Sequence, residues 1–531
     1  MRTISRLCHG LKACTLAGAL LWAGTAQAVT LRWSNDGDIV STDPYNFLET
    51  FALSFLGNVY DTLVTRDRDL KIVPGLAESW RLVTPDTWEF KLRHGVKFHD
   101  GTPFTAADVV FSYRRILSPG SDLKSLFASV ASLEAKDDYT VIIHTKEPDP
   151  ILPADLTDFD ILSKSWAQAH QAEGVTDIRK GTENYANRHA NGTGAYVLVS
   201  REPDVRTVLR RNPDWWGWKT GLGDSNVDEV VFTPIKQDST RLAAMLSGDV
   251  DMMYSLAPQD IEHVKQTGAK VYQRPEIRTI YLNMDQMRDE LLESDVKGRN
   301  PFKDRRVRLA LYQAIDEDTI VAKIMRGAAM AATVMVVPEV TGFDPAAKRL
   351  GYDPEASKRL LAEAGYPNGF SIGFDCPNDR YVNDALVCAA IVSMWAKVGV
   401  QAHLTTRTKS LYFPKVLSRD TTVYMAGWSP VTLDALNTID NSLHTRNADN
   451  SVGRGNIGYS SPVVDGLAEQ ARRELDPVKR TRLLQQALDQ ALADVATIPL
   501  HYQQVVWASR AGVDLVQRAD NVFAWYWVHI R

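Results

Sequence analysis

WEFKLRHGVKFHDGTPFTAADVVFSYRR, residues 88–115, alternates apolar and polar side chains from Trp88 to Phe98 and then changes period. Alternation with period two puts one face of a strand into a core. The turn His99-Asp100-Gly101-Thr102-Pro103 ends it, and Thr105-Ala-Ala-Asp108 forms a capping box for a helix running to about Leu117. Working outward, Val29 to Trp33 is an alternating strand before a polar loop, and 47–64 has helical apolar spacing. Further strands are read at 140–145, 194–200, 205–211, 227–235 and 250–255, with a helix at 240–248 closed by Gly248. Beyond residue 300 helix and strand alternate: helices over 304–315, from Pro354 to Gly365 and from Pro477 to about Val495, and strands over 370–376, 401–406 and 421–427. Asp353-Pro354 and Asp476-Pro477 each place an N-cap before a proline at the first helical position. The reading is α/β, strand-rich in the first half and without internal repeats.

The chain has 531 residues, 44% of them hydrophobic and 24% charged, which suits two or more globular units. A net charge of −5 without a long basic run argues against nucleic-acid binding, whose affinity comes largely from neutralising phosphates. Residues 1–12 carry Arg2, Arg6 and Lys12 and no acid; an apolar run from Ala13 to Ala23 follows, then Ala26-Gln27-Ala28. That is the plan of a secretory signal peptide cleaved after Ala28, with an apolar run too short to span a bilayer. The mature chain keeps two of the 4 cysteines, Cys376 and Cys388, read either as a disulfide or as two buried thiols.

Catalytic signatures are missing. No G-x-x-x-x-G-K-S/T, H-E-x-x-H or G-x-S-x-G occurs, and Gly453-Arg-Gly455-Asn-Ile-Gly458 follows a polar segment where a dinucleotide site requires a strand. His94 and His99 near Asp100 read as the polar surface of a turn, so neither a metal nor a cofactor is expected.

Several segments together resemble the extracytoplasmic solute-binding proteins of the peptide/nickel family, family 5. They are Leu76-Ala-Glu-Ser-Trp80 with 88–115, Asp43-Pro44, Gly192-Thr-Gly-Ala-Tyr196, Asn212-Pro-Asp-Trp-Trp216, Gly248-Asp-Val-Asp251, Pro301 to Arg308 with Ala314-Ile-Asp316, and Tyr352 to Lys358 with Ala364 to Gly369. The resemblance implies a two-lobed periplasmic-binding-protein clamshell with an extra subdomain inserted in lobe I. Lobe I would span 29–282, with the insertion at about 70–195, lobe II 283–497, and a tail from 498 to 531 would return to lobe I. TIYLNMD (279–285) and TIPLHYQ (497–503) would be the crossovers. It implies a periplasmic, monomeric, non-enzymatic component of an ABC importer that closes on a short peptide and docks on a permease. Opine-like conjugates, glutathione, sugars and nickel complexes are the alternative solutes; a secreted hydrolase is the distant alternative.

Ligand contacts are expected on loops after strands: Tyr45 and Asn46 after the first strand, Tyr254 after VDMMYS, and Asn378, Asp379 and Arg380 after 370–376. The stretch 425–437 is the main candidate, with Trp428 stacking on the ligand beside Ser429 and Asp434 pairing with a cation. Arg380 would hold a carboxylate. Peptide binders of this family place an aspartate three residues after that tryptophan; here the position is Val431. Either Asp434 substitutes for it through a shifted loop, or the solute is not an ordinary peptide. The terminal FAWYW (523–527) is read as lobe packing.

Overall fold

The computed structural model describes residues 28–448 and 452–531; the expected signal segment lies outside the described residues. The helix read after Thr105 forms over Ala106–Ile116, with the Thr105 amide donating to the Asp108 carboxylate at 2.9 Å. Asp353 and Asp476 cap the helices Pro354–Glu363 and Pro477–Ala493 as their sequences require. The first expected helix is shorter than its apolar spacing suggests. It covers Thr50–Leu56, ends at Gly57, and gives way to a strand at Val64–Arg66. The expected strand from Trp88 is also cut short, to Thr87–Leu92, because Gly95 turns the chain with φ 73°.

An 11-stranded sheet organises the molecule. Along one half run Val400–Arg407, Phe370–Pro377 and Val423–Trp428; along the other run Met252–Met253, Thr30–Ser34, Glu229–Phe232, Arg206–Arg211 and Tyr196–Glu202. Two long antiparallel strands, Lys270–Met284 and Ile498–Ser509, lie between and belong to both halves, and the short strand Ala329–Ala331 pairs with the second of them. A separate four-stranded antiparallel sheet is built from Ala77–Thr84, Thr87–Leu92, Thr140–Thr145 and Val130–Asp137.

Two main cores flank the long strands. One gathers apolar residues from Leu31 to Tyr254 with the tail from Val505 to Val528; the other gathers residues from Ile280 to Leu500. This is a two-lobed α/β architecture, and the last segment packs in the same core as the first strand. Within FAWYW, Phe523 and Trp525 pack as expected, their rings 5.3 and 5.9 Å from that of Trp33, while Tyr526 also lines a small chamber. Cys376 and Cys388 are joined, Cα atoms 6.5 Å apart, tying the strand Phe370–Pro377 to the helix Asp384–Ala396.

Candidate functional site: a cleft between the lobes

The long strands pair regularly at both ends and lose register in the middle. Pro275 lies opposite Gln504 and Thr279 opposite Tyr502, so Glu276, Ile277 and Arg278 face a single residue, Gln503. An irregularity of this kind re-aims side chains and bends the strand. Here it turns Glu276 and Arg278 into the space between the lobes, where they form a buried ion pair with N···O 3.1 Å. Gln503 donates to Glu276 at 2.9 Å and accepts from the Val382 amide at 3.1 Å, which links the floor to the second lobe. Tyr381 accepts from the Gly427 amide at 2.8 Å. A Cβ on Gly427 would come within 2.7 Å of the Tyr381 ring and 2.9 Å of Ile280, so only glycine lets the strand pass this closely.

Above this floor lies a cleft of about 1420 Å³, lined from both lobes. Leu48 to Phe51, Lys146 to Asp149 and Tyr254 to Leu256 form one wall; Asp379 to Val382, Tyr412, Phe413 and Ala426 to Ser429 form the other. Contacts across the cleft also join the lobes. Glu147 pairs with Arg473 at 2.7 Å, and Arg66 donates to the Thr432 carbonyl at 3.0 Å.

Five of the nine residues expected to meet a ligand line this cleft: Tyr254, Asp379, Arg380, Trp428 and Ser429. Arg380 is exposed; among the described residues it makes no ion pair, and its guanidinium lies 5.3 Å from the Tyr381 ring centroid. The Trp428 indole is fixed by a 3.1 Å bond to Asn437 Oδ1, and the Ser429 hydroxyl oxygen is buried without a partner among the described residues. Asp379 accepts from the Lys409 amide at 2.6 Å, and Tyr254 gives its hydroxyl proton to the Asn521 carbonyl at 2.7 Å.

The other four are elsewhere. Tyr45 is wholly enclosed in the first lobe, where its hydroxyl donates to the Asp160 carbonyl. Asn46 accepts from Ser41 and Asn187 and donates to the Thr176 carbonyl, a closed network with nothing left for a ligand. Both follow Asp43, which forms a fully buried ion pair with Arg115, so this loop is core. Asn378 is exposed and outside the cleft. Asp434 caps the short helix Ala435–Thr438 through the Leu436 amide and forms a bidentate pair with Arg480, both partners buried. It cannot replace the missing aspartate.

Sequence reasoning missed Glu276, Arg278 and Gln503, although charges flanking an isoleucine just ahead of TIYLNMD are a signal of a strand that is not all core. It also missed a smaller chamber of about 110 Å³ that opens from the cleft past Ser429 and Val431. Tyr60, Trp215, Trp216 and Tyr526 supply aromatic walls, and Asp61, Asp158 and Asp160 supply carboxylates. Asp61 is held by Thr193 at 2.8 Å and by the Trp216 and Trp215 indoles at 2.8 and 3.2 Å. Asp158 and Asp160 accept no side-chain hydrogen bond among the described residues. Burial pushes the Asp158 carboxyl up to about 6, against the pull of Arg66, and raises that of Asp160 as well.

Two lobes joined by a strand pair, with a polar cleft between them, have the form of a ligand clamp. The sequence model of bacterial extracellular solute-binding proteins, family 5, matches residues 71–450, and the chain belongs to that family. It is 29% identical to the dipeptide-binding protein of Escherichia coli K12, over 88% of each chain, and 27% identical to the glutathione-binding protein GsiB of the same strain, over 94% of each. Its fold matches the periplasmic binding protein DppA of Helicobacter pylori, solved with the peptide STSA, at TM-score 0.77, 24% identity and coverage of 95% and 98%. Among the described residues no helix is long and apolar enough to cross a membrane.

Proposed function

We propose that this protein is the solute-capturing component of an ABC importer for short peptides, exported to the periplasm and cleaved after Ala28. It binds by closure of two lobes and delivers its cargo to a permease without chemical turnover. The observation that carries this reading is the unpaired Arg380 guanidinium inside a cleft walled from both lobes. It offers a planar double donor to a terminal carboxylate. Trp428, Ser429, Asp379 and Tyr254 are its proposed companions. The bulge at 276–278 and its partner Gln503 are the proposed hinge, and the four-stranded sheet from Ala77 to Thr145 is the proposed insertion in lobe I. Val431, where an ammonium-binding acid is expected, favours a second reading in which the solute is a peptide conjugate such as a γ-linked thiol peptide.

The test is mass spectrometry of small molecules released by denaturing the exported, purified protein, joined to small-angle scattering with each identified solute. Short peptides and a more compact particle on rebinding are the expected result. A single mass of a γ-linked thiol peptide or other peptide conjugate would replace ordinary peptides with the second reading. No compaction with any released or supplied solute would sink the clamp mechanism.

A further inference from the structure

The chamber behind Val431 holds carboxyl groups that no protein donor answers among the described residues. Asp160, a lining residue of the chamber, is 3% exposed, and its carboxylate accepts no hydrogen bond among the described residues. Asp158 lines the same space, half-buried, and its carboxylate likewise accepts no hydrogen bond among the described residues. The nearby cations do not answer them. Arg518 is engaged by Asp520, and Arg66 donates to the Leu70 and Thr432 carbonyls without an ion pair. Arg66 therefore offsets one carboxylate at a distance and leaves the other uncovered. Burying a carboxylate without donors is costly, and a charged donor entering the space removes that cost. The Ser429 hydroxyl, also unpartnered, stands at the mouth. Aromatic walls add ring faces that favour a cation over a neutral group.

We infer that this chamber takes the cationic end of the solute, a primary ammonium or a guanidinium, with Asp158 and Asp160 of the first lobe as its counter-charges. A volume of about 110 Å³ suits one terminal group, while the rest of the solute lies in the main cleft towards Arg380. The inference rests on the clamp reading of the cleft and deepens it: the acid absent at position 431 is supplied from the opposite wall. The cation has two possible sources, a peptide's α-amino group or a basic side chain.

The test titrates the mature protein with methylguanidinium and with N-methylurea, a neutral group of the same shape, reading the thermal midpoint in wild type, Asp158→Asn and Asp160→Asn. Methylguanidinium is expected to stabilise wild type and N-methylurea not, with each substitution weakening the response about tenfold or more. Val431→Asp, which adds a carboxylate at the mouth, is expected to strengthen it and keeps the test open should an Asn variant misfold. Equal responses to the two probes, or wild-type responses in both Asn variants, would overturn the inference. These probes need no peptide, so failure of the peptide reading and failure of the chamber are told apart. Ala-Ala against N-acetyl-Ala-Ala, and N-acetyl-Ala-Arg against N-acetyl-Ala-Ala, then assign the cation to the α-amino group or to the side chain.

Discussion

Buried acids in this protein come in two kinds. Asp43 and Asp434 lie within the lobes, each gripped by both arms of one arginine, Arg115 and Arg480. Asp160, buried, and Asp158, half-buried, line the space between the lobes and have no such partner among the described residues. The first kind is complete as folded, so it ties elements together and has nothing to offer a ligand. The second kind is incomplete until something enters, and it is the sort of feature that folding stability alone would remove.

The largest break in this contrast comes from Arg480→Met, which strands a buried Asp434. We expect a loss of about 3–5 kcal/mol, seen as a lower midpoint in urea. Replacing Cys376 and Cys388 together by serine opens a short loop, and about 3 kcal/mol of stability is expected to go with it. Asp158→Asn should act in the opposite direction from Arg480→Met. Its folded pKa, about 6, lies above the unfolded value, so the acid favours the folded state only while protonated. At pH 7 the buried charge is a burden, and Asn should raise stability by about 1–3 kcal/mol. That gain should shrink as pH falls through about 6 and vanish below about 4. The same proton sharpens the comparison from the side of binding. Methylguanidinium affinity should drop as pH is lowered through about 6, with Arg66, Arg518, Asp520, Asp155 and Asp160 setting the midpoint around Asp158. The smallest effect is expected in the cleft itself: Trp428→Ala should weaken solute binding by about 1–2 kcal/mol in calorimetry while leaving the urea midpoint in place.

Much of the scaffold was readable from local pattern. The capping box at Thr105, the two Asp-Pro helix starts and the strand Thr140–Thr145 all depend on neighbours within a few residues, and each formed where its spacing put it. The site was legible only in part. Trp428, Ser429 and Arg380 reached the cleft because they follow strands that end at it. Tyr45 and Asn46 follow a strand too, yet a buried Asp43–Arg115 pair draws their loop into the core. That pair joins residues 72 positions apart, which no local pattern displays.

The sequence by itself determined the α/β class and the order of elements. Those are properties of residue type and short-range spacing, which physical chemistry reads without knowing the fold. Only the tertiary structure decided which acids are spent and which are free. Asp434 and Asp160 look alike as residues in a chain. One meets an arginine brought from 46 positions away, and the other meets an open chamber, because a carboxylate's role is set by the donors and the dielectric around it.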